Sequence, residues 1–297
     1  MSFNETSNVE GEDKFIKAIH SIYTNLGFKP PPKQFTVLAA FFLTKPAISQ
    51  ATFKVISLST GTKCTPAIKY SPCGEVLHDT HAEVLARRGT VRWLMEEIGR
   101  MNASAKYTSD WLARVGSEIS KDPDSAPPYR LQSDVSLQLY ISTLPCRSPF
   151  SLTSPYHLNS EYHSGGDASM GYLASTQEAQ MALIKSQSMH LFPKLQPHEA
   201  SRGRDNYARL GVLRTKPGRA DSPPALSMSC SDKIAKWSVL GILGGFGSRF
   251  LEPVFLQGIV IGEILLEKQE LRDIVRDDCD RALRVRVGKI EGLCLLP

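Results

Sequence analysis

The stretch Val76-Leu77-His78-Asp79-Thr80-His81-Ala82-Glu83-Val84-Leu85-Ala86-Arg87-Arg88-Gly89 decides how this 297-residue chain folds. His81 ends an irregular segment and opens a helix whose apolar stripe is Val84, Leu85, Val91, Leu94, Met95 and Ile98. Upstream, Phe35 to Leu43 and Phe53 to Leu58 are strand-length apolar runs, and they predict a hairpin turning through Lys45 to Ser49. Downstream, Val135, Leu137, Leu139 and Ile141 alternate with Ser136, Gln138 and Tyr140, a period-2 strand that runs into Pro145-Cys146. Strands interleaved with helices predict an α/β domain with a central mixed sheet flanked by helices.

The remaining elements fit the same frame. Phe15, Ile16, Ile19, Ile22, Tyr23 and Leu26 predict an amphipathic helix over 13–26 that ends at Gly27. Residues 102–134 read mainly as a long polar excursion holding one apolar trio, Trp111, Leu112 and Val115. Cys230 opens a second helix with Ile234, Trp237, Leu240 and Ile242 as its apolar side, and Ser231 and Asp232 are available to cap it. Val254 to Leu265 is a further strand, and Glu267 to Leu283 a surface helix. No clean linker divides residues 1–297, so one domain is expected.

Hydrophobic content of 41% and charged content of 22% are globular values. No apolar run is long enough for a membrane span. The polar, mildly acidic start, Met1 to Asp13, lacks the pattern of a signal peptide, so a cytosolic or nuclear location is expected. A net charge of +5 weakly favours a polyanionic partner, and the basic stretch Ser201 to Pro224 carries Arg202, Arg204, Arg209, Arg214, Lys216 and Arg219. No protein partner is evident.

His81, Glu83, Cys146 and Cys230 are the residue types of a zinc centre that removes an amino group from a nucleobase. One imidazole and two thiolates leave the metal a fourth position for water. A glutamate outside the ligand set can then shuttle protons to the ring and to the departing ammonia. Read by residue type alone, the same positions serve equally as a solvated helix start and small buried cysteines. Pro72-Cys73-Gly74 lies too near His81 to be a separate ligand arm and reads as a turn, while His157 and His163 read as surface residues.

Three segments carry a resemblance. Gly61-Thr62-Lys63-Cys64, the stretch from Val76 to Gly89, and Ser229-Cys230-Ser231-Asp232-Lys233-Ile234-Ala235-Lys236-Trp237 resemble the catalytic domain of the adenosine deaminases acting on RNA and on tRNA. Gly211-Val212-Leu213-Arg214-Thr215-Lys216-Pro217-Gly218-Arg219, with Pro223-Pro224, resembles the tRNA-acting branch. The resemblance implies hydrolytic conversion of adenosine to inosine at position 37 of an alanine tRNA, on a cytidine-deaminase-like sandwich. It implies His81, Cys146 and Cys230 as zinc ligands and Glu83 as the catalytic residue. It further implies a buried inositol hexakisphosphate held by Arg87, Arg88, Lys233 and Lys236, and RNA contacts from Thr62, Lys63, Arg214 and Lys216. A deaminase of free nucleosides fits less well, because the basic stretch suits a polyanion.

Two departures stand against full activity. In the family, glycine, aspartate and alanine follow the second ligand directly. Here Arg147 follows Cys146, and Gly166-Asp167-Ala168 resumes only after the segment 147–165, which reads as an insertion or a retained short intron. Leu293 to Pro297 ends where a core segment would enter, so the domain reads as truncated at its C-terminus. A catalytically inactive RNA-binding or regulatory isoform is therefore the alternative expectation.

Overall fold

A computed structural model describes residues 9–30, 36–46, 52–115, 126–145, 201–202, 213–216, 223–262 and 294–296, with single positions between 273 and 285. Its centre is a five-stranded mixed sheet in the order β2-β1-β5-β8-β9. The strands are β1 (Leu38–Lys45), β2 (Thr52–Thr60), β5 (Ser136–Ile141), β8 (Leu256–Ile261) and β9 (Cys294–Leu296), while β6 (Ser201–Arg202) and β7 (Arg214–Thr215) pair in parallel outside it. β1 pairs antiparallel with β2 and with β5, whereas β8 runs parallel to β5 and to β9. The expected α/β architecture with a mixed sheet is therefore present.

Alternation along β1 explains how the sheet carries helices on both sides. Ala39, Phe41 and Leu43 join Leu137, Leu139, Ile141 and Ile259 on one face. That face is covered by α2 (Ala82–Ala103), through Ala82, Ala86, Leu94 and Ile98, and by α3 (Cys230–Leu240), through Ile234 and Trp237. Leu38, Ala40 and Phe42 join Tyr140 and Val260 on the other face, beneath Phe15, Ile16, Ile19 and Tyr23 of α1 (Val9–Asn25). A one-residue slip would move each set to the opposite face, so the fit of each set against its own helices holds the register. α2 lies close on β2 at Gly89, where an added Cβ would stand 2.3 Å from Ser57 Oγ. Among the described residues no helix is long and apolar enough to cross a membrane.

Boundaries differ modestly from the sequence reading. α1 begins before residue 13, and the expected hairpin is present, although its turn residues 47–51 lie outside the described set. The excursion at 102–134 contains a short antiparallel pair, β3 (Leu112–Arg114) and β4 (Tyr129–Leu131). Trp111 and Leu112 are buried in the main core, whereas Val115 is exposed. The described helical positions between 273 and 283 include the buried Cys279, Ala282 and Leu283, so one face of that segment packs inward.

Glu97 of α2 explains why the polar excursion is held against the core. Its carboxylate is 2% exposed and accepts from Tyr107 OH at 3.0 Å, from Arg100 Nε at 2.9 Å and from Ser109 Oγ. Ser109 Oγ in turn accepts the backbone N–H groups of Trp111 and Leu112. Burial pushes the Glu97 carboxyl up, but hydrogen bonds from Ser109, Arg100 and Tyr107 more than offset this and hold it below its ordinary value. A carboxylate with a depressed folded-state pKa adds stability above its unfolded value and loses it as pH falls through the folded value. Glu97→Gln is therefore expected to flatten the loss of stability on acidification below the usual glutamate range. Urea unfolding at a series of acidic pH values checks this, and an unchanged pH dependence would contradict it.

Candidate active site

The site forms where the N-termini of α2 and α3 meet over the end of the sheet. His81 occupies the N-cap position of α2 with extended backbone (φ −65°, ψ 146°), and Glu83 lies in the first turn. This is the one part of a helix where positions i and i+2 can serve a common centre. Backbone bonds pin the approach to His81. Ala82 N donates to Gly61 O at 3.0 Å, Thr80 N to Lys63 O at 2.9 Å and Thr65 N to His78 O at 2.8 Å. Gly61 lies so close to this strand that an added Cβ would stand 1.9 Å from Thr80 O.

Ser229 caps α3: its hydroxyl accepts from Asp232 N at 3.2 Å and bonds Asp232 Oδ2 at 2.8 Å. Of the two expected cappers, Asp232 takes part through Ser229 and Ser231 does not. Ser231 is fully buried within the first turn, and Asp232 completes a reciprocal cap with Ser229 while accepting from Arg214 N at 3.0 Å. Cys230, the first helical residue, is fully buried. Ser229→Ala is expected to cost about 1 kcal/mol of stability and to lower metal affinity, because the cap fixes the turn that carries Cys230. Urea unfolding with a metal titration measures both, and parent-like values would contradict the assignment.

Asp79 joins the two helix starts. Its Oδ1 takes His81 Nδ1 at 2.8 Å, and its Oδ2 takes Lys216 Nζ at 2.8 Å together with Lys233 Nζ. Lys216 Nζ also donates to Cys230 Sγ at 2.9 Å. His81, Asp79, Lys216 and Cys230 therefore form one continuous hydrogen-bonded chain. Burial pushes the Asp79 carboxyl up. The hydrogen bond from His81 and the charges of Lys216, His81 and Lys233 overcome this and hold it far below the ordinary carboxylate range. An anionic Asp79 on Nδ1 leaves Nε2 of His81 as the nitrogen that a metal would take, the usual arrangement for a carboxylate behind a metal-binding histidine. A cation beside the sulfur favours the thiolate form that metals take.

Glu83 is 2% exposed, yet it forms no hydrogen bond or ion pair among the described residues. With no partner of its own among the described residues, the Glu83 carboxylate is available to a proton or a polar substrate atom when the site is filled.

The donor set fits zinc as far as it is described. His81 Nε2 and Cys230 Sγ are two donors of the kind zinc takes, held by charged neighbours. Among the described residues no third His, Cys, Asp or Glu completes a metal-holding group, and the third expected ligand, Cys146, lies outside them. The segment 147–165 lies outside them as well.

The other expected residues divide between surface and interior. Thr62 is partly exposed and Lys63 exposed on the ribbon leading to His81. Arg214 and Lys216, expected to contact RNA, are each 1% exposed. This corrects that assignment, because Lys216 directs its ammonium inward to Asp79 and Cys230. Backbone bonds of Lys216 to Ser227 and Ala225, and of Arg214 to Ser229, fold this segment under α3. Of the four cations expected at a polyphosphate, Lys233 bonds Asp79, and half-buried Arg87 donates Nε to the Ile242 carbonyl at 2.6 Å. Burial, and then the neighbouring Arg88, lowers the Arg87 pKa. Arg88 and Lys236 are exposed. No described carboxylate pairs with Arg87, Arg88 or Lys236, a surplus of positive charge that suits an anion. Sequence reasoning missed Asp79 as the hub, although it stands within the stretch that decides the fold.

Comparison with known proteins agrees with this geometry. The adenosine-deaminase (editase) domain family matches residues 57–291. The tRNA-specific adenosine deaminase 1 of Schizosaccharomyces pombe is 33% identical over 241 residues, covering 80% of this chain and 52% of that protein. The protein of the same name in Saccharomyces cerevisiae is 31% identical over 264 residues, covering 88% and 57%. The double-stranded RNA-specific editase Adar of Drosophila melanogaster is 32% identical over 214 residues, covering 71% and 27%. The chain spans about half the length of the tRNA-acting relatives it matches.

Proposed function

Since this chain belongs to the adenosine-deaminase (editase) domain family, we propose that it hydrolyses adenosine to inosine within tRNA. The adenosine at position 37 of an alanine tRNA is the proposed target, and a cytidine-deaminase-like sandwich the proposed fold. The observation that supports this reading best is Glu83, a buried residue with no hydrogen-bond partner among the described residues, two positions after a histidine held by Asp79.

His81, Cys230 and Cys146 are the proposed zinc ligands, and bound zinc would supply the Lewis acid that activates water near neutral pH. Glu83 takes the proton that water gives up and passes it to the purine ring as oxygen adds to C6. It then carries the proton of the new C6 hydroxyl to the amino group, so that the C6 carbonyl forms as the C–N bond breaks and ammonia leaves. Asp79 keeps the His81 ring oriented throughout, and Lys216 holds the Cys230 sulfur and Asp79 together. Thr62 and Lys63 carry the RNA contact beside the site. Arg87, Arg88, Lys233 and Lys236 are the proposed seat of inositol hexakisphosphate. A cytosolic or nuclear location goes with a tRNA substrate.

Substrate class is tested by offering the purified chain free adenosine, duplex RNA and tRNA under one salt condition, with inosine as the readout. The reading predicts inosine in tRNA alone. Inosine from free adenosine at a comparable rate would overturn it.

A further inference from the structure

Thr80 stands between the buried hub Asp79 and the proposed ligand His81, and its side chain faces neither. Its hydroxyl donates to the Lys63 carbonyl at 2.8 Å, and its backbone N–H donates to the same oxygen at 2.9 Å. The Lys63 carbonyl thus takes both donors of one residue. Around this point residues 61–65 and 77–82 form a small antiparallel ribbon. Cys64 and Asp79 form its bridge, Ala82 N bonds Gly61 O, and Thr65 bonds His78 O through its N–H and Leu77 O through its hydroxyl. The Lys63 side chain lies exposed on this ribbon.

We propose that Thr80 is a positioning residue: its hydroxyl clasps the Lys63 backbone and thereby fixes the Lys63 ammonium, as an RNA phosphate contact, relative to the hydrolytic centre at His81 and Glu83. The inference rests on the RNA-contact role given to Lys63 above. Its physical basis is leverage. Lysine is a flexible point charge, and its reach is defined only as well as the backbone that carries it. The N–H of Thr80 anchors that backbone at one point. The hydroxyl adds a second donor to the same oxygen and restricts its pivoting. The clasp also ties the RNA-facing strand of the ribbon to the strand that orients His81, so a phosphate held by Lys63 is held in register with the reacting adenosine.

The test uses the full chain and four variants, Thr80→Val, Thr80→Ser, Lys63→Ala and Thr80→Val with Lys63→Ala. Affinity for a labelled anticodon stem–loop RNA is measured by fluorescence anisotropy over a range of salt concentrations, and metal content is measured in parallel. Thr80→Val keeps the side-chain shape without the hydroxyl and is expected to weaken binding about fivefold, the size of one net hydrogen bond. It should also reduce the slope of log affinity against log salt, by up to about one for a lost phosphate contact. Thr80→Ser should restore both. The double variant should bind no more weakly than Lys63→Ala alone, because Thr80 acts through Lys63. Metal content should be the same in all. Additive losses in the double variant, or equal losses in Thr80→Ser and Thr80→Val, would overturn the clasp while leaving the proposed function standing. Parent-like binding by Lys63→Ala would overturn the RNA role of Lys63 and the clasp with it.

Discussion

Glu83→Ala is expected to abolish inosine formation while metal content stays at the level of the parent chain. Glu83 lies in the first turn of α2, is 2% exposed and has no hydrogen-bond partner among the described residues. Its removal therefore breaks no hydrogen bond among them, and the fold should persist. Loss of a positioned proton shuttle lowers rates by about 10²–10⁴-fold. In the proposed reaction the residue would serve both the attack and the departure of ammonia, so the effect belongs at the upper end. Glu83→Gln should be as inactive, since the amide cannot carry the proton. Inosine quantified by nuclease digestion and chromatography, with metal measured on the same samples, separates the roles. A fall in metal content equal to the fall in activity would make Glu83 a ligand instead of a shuttle.

The second large effect is expected at Asp79. The Asp79 and Lys216 side chains are 5% and 1% exposed and lie 2.8 Å apart. Removing one member of a buried ion pair costs about 3–5 kcal/mol, because the other charge is left without compensation. Lys216 keeps its contact with Cys230 Sγ, which places Asp79→Ala toward the lower end of that range. Asp79→Ala also releases the His81 ring, and losing such an orienting partner lowers metal affinity about 10–100-fold. Urea denaturation gives the first number and zinc titration the second. An Asp79→Ala variant that unfolds at the parent midpoint would show that the hub carries no weight.

What the sequence revealed, and what it concealed, follows from the range of the interactions involved. His81, Glu83 and Cys230 stand in contiguous segments whose local pattern, an apolar stripe starting just after each residue, places them at helix starts. The alternation of β5 and the hairpin of β1 with β2 are equally local. The hub is not local. Lys216 reaches Asp79 across 137 positions in the sequence. A lysine in a run rich in Arg and Lys reads as solvated surface by residue type, because lysine is almost never fully buried without a partner. Only the fold brings the carboxylate that makes its burial tolerable. Arg214 is equally buried, its backbone tied to Ser229 and Asp232 at the start of α3. The N-cap of α3 is Ser229, two residues before Ser231, because the helix begins at Cys230 itself. Trp111 and Leu112 sit in the core because Glu97 and Ser109 anchor the polar excursion that contains them, a pairing no periodicity announces.

The central claim is that this chain assembles a tRNA adenosine deaminase site around His81, Glu83 and Cys230. The most direct measurement is inosine in an alanine tRNA transcript after incubation with the purified, zinc-loaded chain at a defined salt concentration. Reverse transcription and sequencing read inosine as guanosine. The account predicts conversion at the adenosine beside the anticodon. Unconverted tRNA in the presence of a full complement of bound zinc would contradict it.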